Sequence, residues 1–196
     1  MSTQTQSQTA PAASLPQTTP QNATTWKIDS SHSVAHFTVR HMMVTNVRGQ
    51  FSGVTGSVSL TPDLKLSSVT ATIDVSTVDT REAKRDAHLR SPDFFDVEKY
   101  PSMAFVSKSI ESVEGNTFKL RGDLTLHGVT KELVLEVELA EGESKDPYGN
   151  LRRGAQATIK LNRKDFNLGW NVVLETGGIA VSDTVKVEIE LALIKA

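Results

Sequence analysis

The chain has 196 residues, of which 38% are apolar and 22% charged, with a formal charge of −2. That is the composition of one domain with some unpacked length, and it excludes the clustered cationic surface on which general nucleic-acid binding rests. The absence of cysteine excludes disulfides, thiolate catalysis and cysteine-based zinc sites, while leaving the compartment open.

Residues 1–25, MSTQTQSQTAPAASLPQTTPQNATT, are dominated by Gln, Thr, Ser, Ala and Pro. Such a segment cannot bury enough apolar surface to offset chain entropy, so a disordered polar tail is expected, followed by one folded domain over 26–196. The tail carries no Lys or Arg and no continuous apolar run, unlike a secretory signal. The expected compartment is therefore the cytoplasm. No run approaches the roughly 20 apolar residues of a membrane-spanning helix, so the chain does not read as an integral membrane protein.

From Trp26 onward, apolar and polar residues alternate. The first segment, 30-SSHSVAHFTVRHMM-43, gathers His32, His36 and His41 within ten residues. As a strand it places Ala35, Phe37, Val39 and His41 on one face and Val34, His36, Thr38 and Arg40 on the other. His32 and His36 would then stand about 13 Å apart, too far for one zinc ion, and His41 faces away from His36. His36 reads as a surface imidazole. His41 continues the Phe37 face to the strand end, where it would stand at the mouth of a barrel and could orient a ligand. The glycines of 49-GQFSGVTG-56 lack the Lys-Ser/Thr of a phosphate loop and read as bulges or bends.

Val69, Ala71, Ile73 and Val75 form the next alternating run. Residues 80-TREAKRDAHL-89 then break the pattern. Asp79 followed by Glu82 resembles a capping box and Pro92 ends the run, which predicts a short helix over about 80–90. Arg81, Arg85 and His88 would share one face, a small basic stripe that is either solvated or set to meet an anionic head group. Further strands follow at 118–126, 133–139, 155–161 and 185–193, with HGVT (127–130) as a tight hairpin and 140–154 as a polar loop. His127 is most simply a turn residue. Charged residues such as Glu136, Glu138, Lys186 and Glu188 fill the opposite faces, which indicates antiparallel sheet with one wetted side. Periodicity does not separate a closed barrel from a sandwich, although closure removes exposed edges.

No nucleophile elbow or paired-carboxylate spacing is present. Bulky apolar residues gather instead at connections. Met42, Met43 and Val44 follow the first strand, Phe94, Phe95, Tyr100, Met103 and Phe105 follow the helix, and Phe166, Leu168 and Trp170 occupy a later loop. They read as core closure or as the lining of a cavity mouth.

Four segments, 26-WKIDSSHSVAHFTVRHM-42 with VRGQFSG (47–53), the block 76–107 with T-x-x-x-x-RD-x-HL-x-x-x-DFF, 120-LRGDLTLHGVTKELVLE-136, and R-x-DF at 163–166, resemble the YceI-like family of bacterial proteins. The resemblance covers essentially all of 26–196. It implies an all-β, antiparallel, eight-stranded lipocalin-like barrel with one short helix around an elongated apolar cavity. It further implies a non-catalytic role in binding, carrying or storing a long-chain lipid such as a polyisoprenoid, quinone precursor or fatty acyl compound. On this resemblance no cofactor, metal or catalytic residue is expected. Phe37, Phe51, Phe105, Leu124, Leu135 and Ile159 are expected on the cavity wall, and His41, Arg81 and His88 near its mouth against a polar end. Many members are periplasmic, which sets that compartment beside the cytoplasm as an alternative, and two elongated barrels could pair as a homodimer. Two other readings stay in view: an enzyme in which His41 meets a carboxylate at a pocket, and a structural β-domain packed solid.

Overall fold

A computed structural model describes residues 22–62, 68–173, 175 and 178–196; residues 1–21, most of the expected tail, lie outside the described part. Eleven strands run in chain order as β1 (Thr24–Ile28), β2 (Val34–His41), β3 (Thr45–Phe51), β4 (Val54–Leu60), β5 (Ser68–Asp74), β6 (Ser102–Glu114), β7 (Thr117–Leu126), β8 (Val129–Leu139), β9 (Ser144–Lys145), β10 (Leu151–Asn162) and β11 (Val181–Lys195). One α-helix, α1 (Ala83–Arg90), and two 3-10 turns, Val75–Thr77 and Arg163–Phe166, complete the described elements.

All ladders are antiparallel, and eight strands close on themselves in the order β11-β1-β4-β5-β6-β7-β8-β10, because β10 pairs with β11. The barrel that periodicity left open against a sandwich is therefore the observed form. The folded part begins two residues before the expected boundary: Thr24 and Thr25, assigned to the tail, pair with Leu60 and Ser59.

The long strand β11 is shared. Its last residues pair with β1 (Ile28 with Leu193), while Val185 to Glu190 pair with β2. After a bend at 29–33, β2 thus takes over from β1 the edge of β11 opposite β10, and the β2–β3 hairpin continues the wall. Alternation sets the faces. On β7, Phe118 and Leu120 are buried while Lys119 between them is exposed. Trp26, Val54, Val58 and Leu193 fill the core where β1, β4 and β11 meet. His127 and Gly128 both have positive φ (50° and 73°), which makes the two-residue turn from Leu126 to Val129 that HGVT predicts.

The helix is shorter than the sequence predicts. Arg81 stands at φ 63°, in the left-handed region, so the helical hydrogen bonds cannot start at residue 80. Glu82 is the N-cap, and its carboxylate accepts from the amides of Lys84 and Arg85. Asp79 accepts from the Arg81 amide instead, so the Asp79–Glu82 capping box does not form. The alternating polar loop 140–154 is likewise interrupted, since β9 pairs with the start of β10 around the turn at Pro147 to Gly149.

Candidate functional site

The inward faces of the strands enclose a cavity of about 230 Å³. Among the described residues that line it, all but His36, Gln156 and Arg163 are apolar. Phe37, Phe51, Phe105, Leu124, Leu135 and Ile159 all lie on this lining. Two of the wall rings depend on glycine. Gly49 faces Phe37 across the β2–β3 ladder, and a Cβ there would overlap the Phe37 ring. A Cβ on Gly122 would overlap the Phe105 ring in the same way. Each ring therefore lies across the neighbouring strand, along the wall. Phe51 links Phe37 to Phe95, with ring centroids 5.5 Å apart in both contacts.

One end of the barrel is capped by α1, the segment 91–101 and the loop after the 163–166 turn. His88 stands in this cap. Its Nε2 lies 2.9 Å from Asp93 Oδ2, and its ring meets Phe94 at 5.1 Å and Trp170 at 4.8 Å. Phe94 lines the cavity, so His88 is one side chain removed from it. His41 and Arg81, expected at the mouth, are both outside the lining. His41 pairs with Val181 and Thr45 at the end of β2, next to a hairpin tip where Met42, Met43 and Val44 are exposed. Arg81 precedes the helix and is exposed. The basic stripe does not form either: Arg85 turns back to donate from Nε to the Thr80 hydroxyl (2.7 Å) and from a terminal nitrogen to the Thr80 carbonyl (2.9 Å). His32 bonds Asp29 and Ser31, and His36 pairs with Glu188 and Gln50 in the ladders, so the three histidines of the opening segment serve different neighbours.

The cap is fastened by buried charge. Asp86 accepts from the Thr80 amide and hydroxyl, and Arg90 donates to the carbonyls of Ser76 and Val78. Sequence reasoning gave Arg163 no role, yet it is 4% exposed and holds the other half of the cap. It donates to the carbonyls of Leu168, Trp170, Val181 and Ser182 and to the Asp183 carboxylate. Burial lowers its affinity for the proton and Asp183 raises it. The signal was available in the parity of β10. Ala155, Ala157, Ile159 and Leu161 alternate inward, and position 163 continues that face with a guanidinium that must find buried partners.

Comparison with known proteins identifies the architecture. A family profile described as the YceI-like domain matches residues 26–193. The chain belongs to the YceI-like family. A UPF0312 protein of Photorhabdus laumondii is 40% identical over 148 residues, 74% of this chain and 76% of that protein. A UPF0312 protein of Staphylococcus aureus is 35% identical over 170 residues, 84% of this chain and 94% of its own length. Among solved structures, the YceI protein of Campylobacter jejuni superposes with a TM-score of 0.67 at 29% identity, covering 80% of this chain and 89% of that one. A polyisoprenoid binding domain from Saccharophagus degradans, implicated in plant cell wall breakdown, shares the YceI-like fold at a TM-score of 0.64 and 17% identity, covering 87% and 98% of the two chains. Among the described residues of this YceI-like chain, no helix is long and apolar enough to cross a membrane.

Proposed function

We propose that the barrel holds one long apolar molecule without transforming it, as a lipid carrier or store. The observation that carries this reading is the cavity: about 230 Å³ of space walled by apolar side chains in the middle of the domain. Filled cores leave few voids larger than a water molecule, so a void of this size argues against the solid structural domain. It is also a poor place for water, which needs two to four polar partners. Enclosing a hydrocarbon chain there gains roughly 25 cal/mol for each Å² of apolar surface removed from water. A polyisoprenoid or a fatty acyl chain matches that chemistry, and the Saccharophagus degradans domain is described as binding the former.

The enzyme reading required His41 and a carboxylate to converge on the pocket. Among the described residues that line the cavity there is no Asp or Glu, and His41 is elsewhere. The geometry favours binding.

The test uses delipidated protein titrated with a dansylated farnesyl chain and a dansylated C16 fatty acid, with native mass spectrometry of the untreated protein alongside. Saturable 1:1 binding is expected, lost in Leu124→Trp, which fills the lumen while the circular dichroism spectrum stays that of the barrel. No saturable binding and no copurifying lipid mass would sink the proposal.

A further inference from the structure

The barrel wall is not equally closed all round. β8 and β10 share four ladder pairs, from Ala155 with Leu139 to Thr158 with Glu136, and then part. Beyond that point β10 continues to Asn162 with β11 as its ladder partner, and β8 reaches back to Val129 paired with β7. A second pocket, of about 210 Å³, opens on the outer surface where the two strands diverge. Leu133, Ile159 and Leu161 line both this pocket and the central cavity. One layer of side chains thus separates outside from inside.

We infer that the seam between β8 and β10 is the lateral portal through which an apolar chain passes into and out of the barrel, with Phe166 as its plug. This rests on the lipid-binding reading above. Phe166, in the 163–166 turn, is 2% exposed and forms with Leu126 and Leu168 a buried cluster against which Leu133 and Leu161 pack, and it also lines the outer pocket. The capped end is the alternative route, and the chemistry there disfavours it. Displacing α1 or the loop at 167–173 breaks the hydrogen bonds of Arg85, Asp86, Arg90 and Arg163, each made by an ionised group in a sheltered site. Opening the seam breaks no ladder pair. The side chains at the seam, Leu133, Ile159, Leu161 and Phe166, are apolar and make no side-chain hydrogen bond that would have to break. The outer pocket is of mixed character: Lys131, Glu132, Lys160, Asn162 and Asp165 line it together with Leu133, Ile159, Leu161 and Phe166, so polar groups stand beside the apolar seam.

The absence of cysteine makes the test direct. A Lys131→Cys/Lys160→Cys variant is bridged with a short bis-maleimide, and uptake and release of the dansylated C16 chain are followed by stopped flow. The bridge is expected to slow both rates at least tenfold while the equilibrium constant moves less than threefold. Phe166→Ala, with no crosslink, is expected to speed both rates by a similar factor. The same reagent across the cap, in His88→Cys/Trp170→Cys, should leave the rates within twofold of the unbridged protein. Rates indifferent to the seam bridge, or slowed by the cap bridge instead, overturn the portal. Failure of the unbridged protein to bind the probe at all would count against the lipid-binding reading, a distinct outcome.

Discussion

Phe37 and Phe105 reach across the wall because Gly49 and Gly122 leave room for their rings. A methyl group at Gly49 has to move the Phe37 ring and the Thr80 methyl, and one at Gly122 has to move the Phe105 ring and also meets the Val106 carbonyl, so the rings are displaced from the wall. Overpacking of this kind costs about 1–3 kcal/mol, which, felt at the cavity, weakens binding of a long chain by about fivefold or more. Gly49→Ala is therefore expected to lower affinity for the dansylated C16 chain, and Gly49→Ala/Phe37→Leu to recover much of it, measured as a double-mutant cycle by fluorescence titration. Alternation alone placed Phe37 on the apolar face of its strand, and the resemblance placed it on the wall. Its pose was not legible, because it depends on which residue of another strand lies opposite, a register set by the turn at 42–44 between β2 and β3. The same limit applies to His41: parity put it on the face of Phe37 and Val39, but it is the last residue of β2, beside the exposed hairpin tip, and it does not line the cavity although its partner Val181 does.

At the scale of elements, the strands were readable wherever one side was wet, and the interruptions were not. Glu82 rather than Asp79 caps the helix because Arg81 adopts a left-handed conformation, flanked by the Asp79 bond to its own amide and the Thr80–Asp86 contact. The bend between β1 and β2 is held by charge brought from far along the chain. Asp29 accepts from Ser31, Arg152 and His32, which hold its carboxyl well below the usual carboxylate range. Arg152, with Asn150, does the same for Asp146, so one guanidinium ties the bend to the turn before β10. A carboxyl depressed in the folded state stabilises fully above its unfolded value, near 3.9, and loses that contribution as pH falls toward the folded one. The urea midpoint should therefore change little on this account between about pH 5 and 7 and decline below about pH 4. In Asp29→Asn/Asp146→Asn the midpoint should be lower at neutral pH, and its gap from the wild type should narrow steadily as pH falls; a gap independent of pH would refute the assignment.

For the molecule as a whole, the fold class could be read from the sequence because one pattern, apolar against charged, repeats in nearly every strand. The portal could not, because it arises where two strands with good patterns stop pairing. The closure of the barrel has another consequence. Trp26 pairs with Lys195, and the Ala196 amide donates to the Thr25 carbonyl at 3.0 Å, so the first strand and the last residue lie side by side. They meet at the opposite end from α1 and Arg163. Topologically the folded domain is nearly a ring, and where that ring is cut is a matter of choice. Joining residue 196 to residue 24 by a short Gly-Ser linker and opening the exposed turn at Tyr148 and Gly149 should give a circular permutant with the same barrel and the same ligand affinity, checked by circular dichroism and titration.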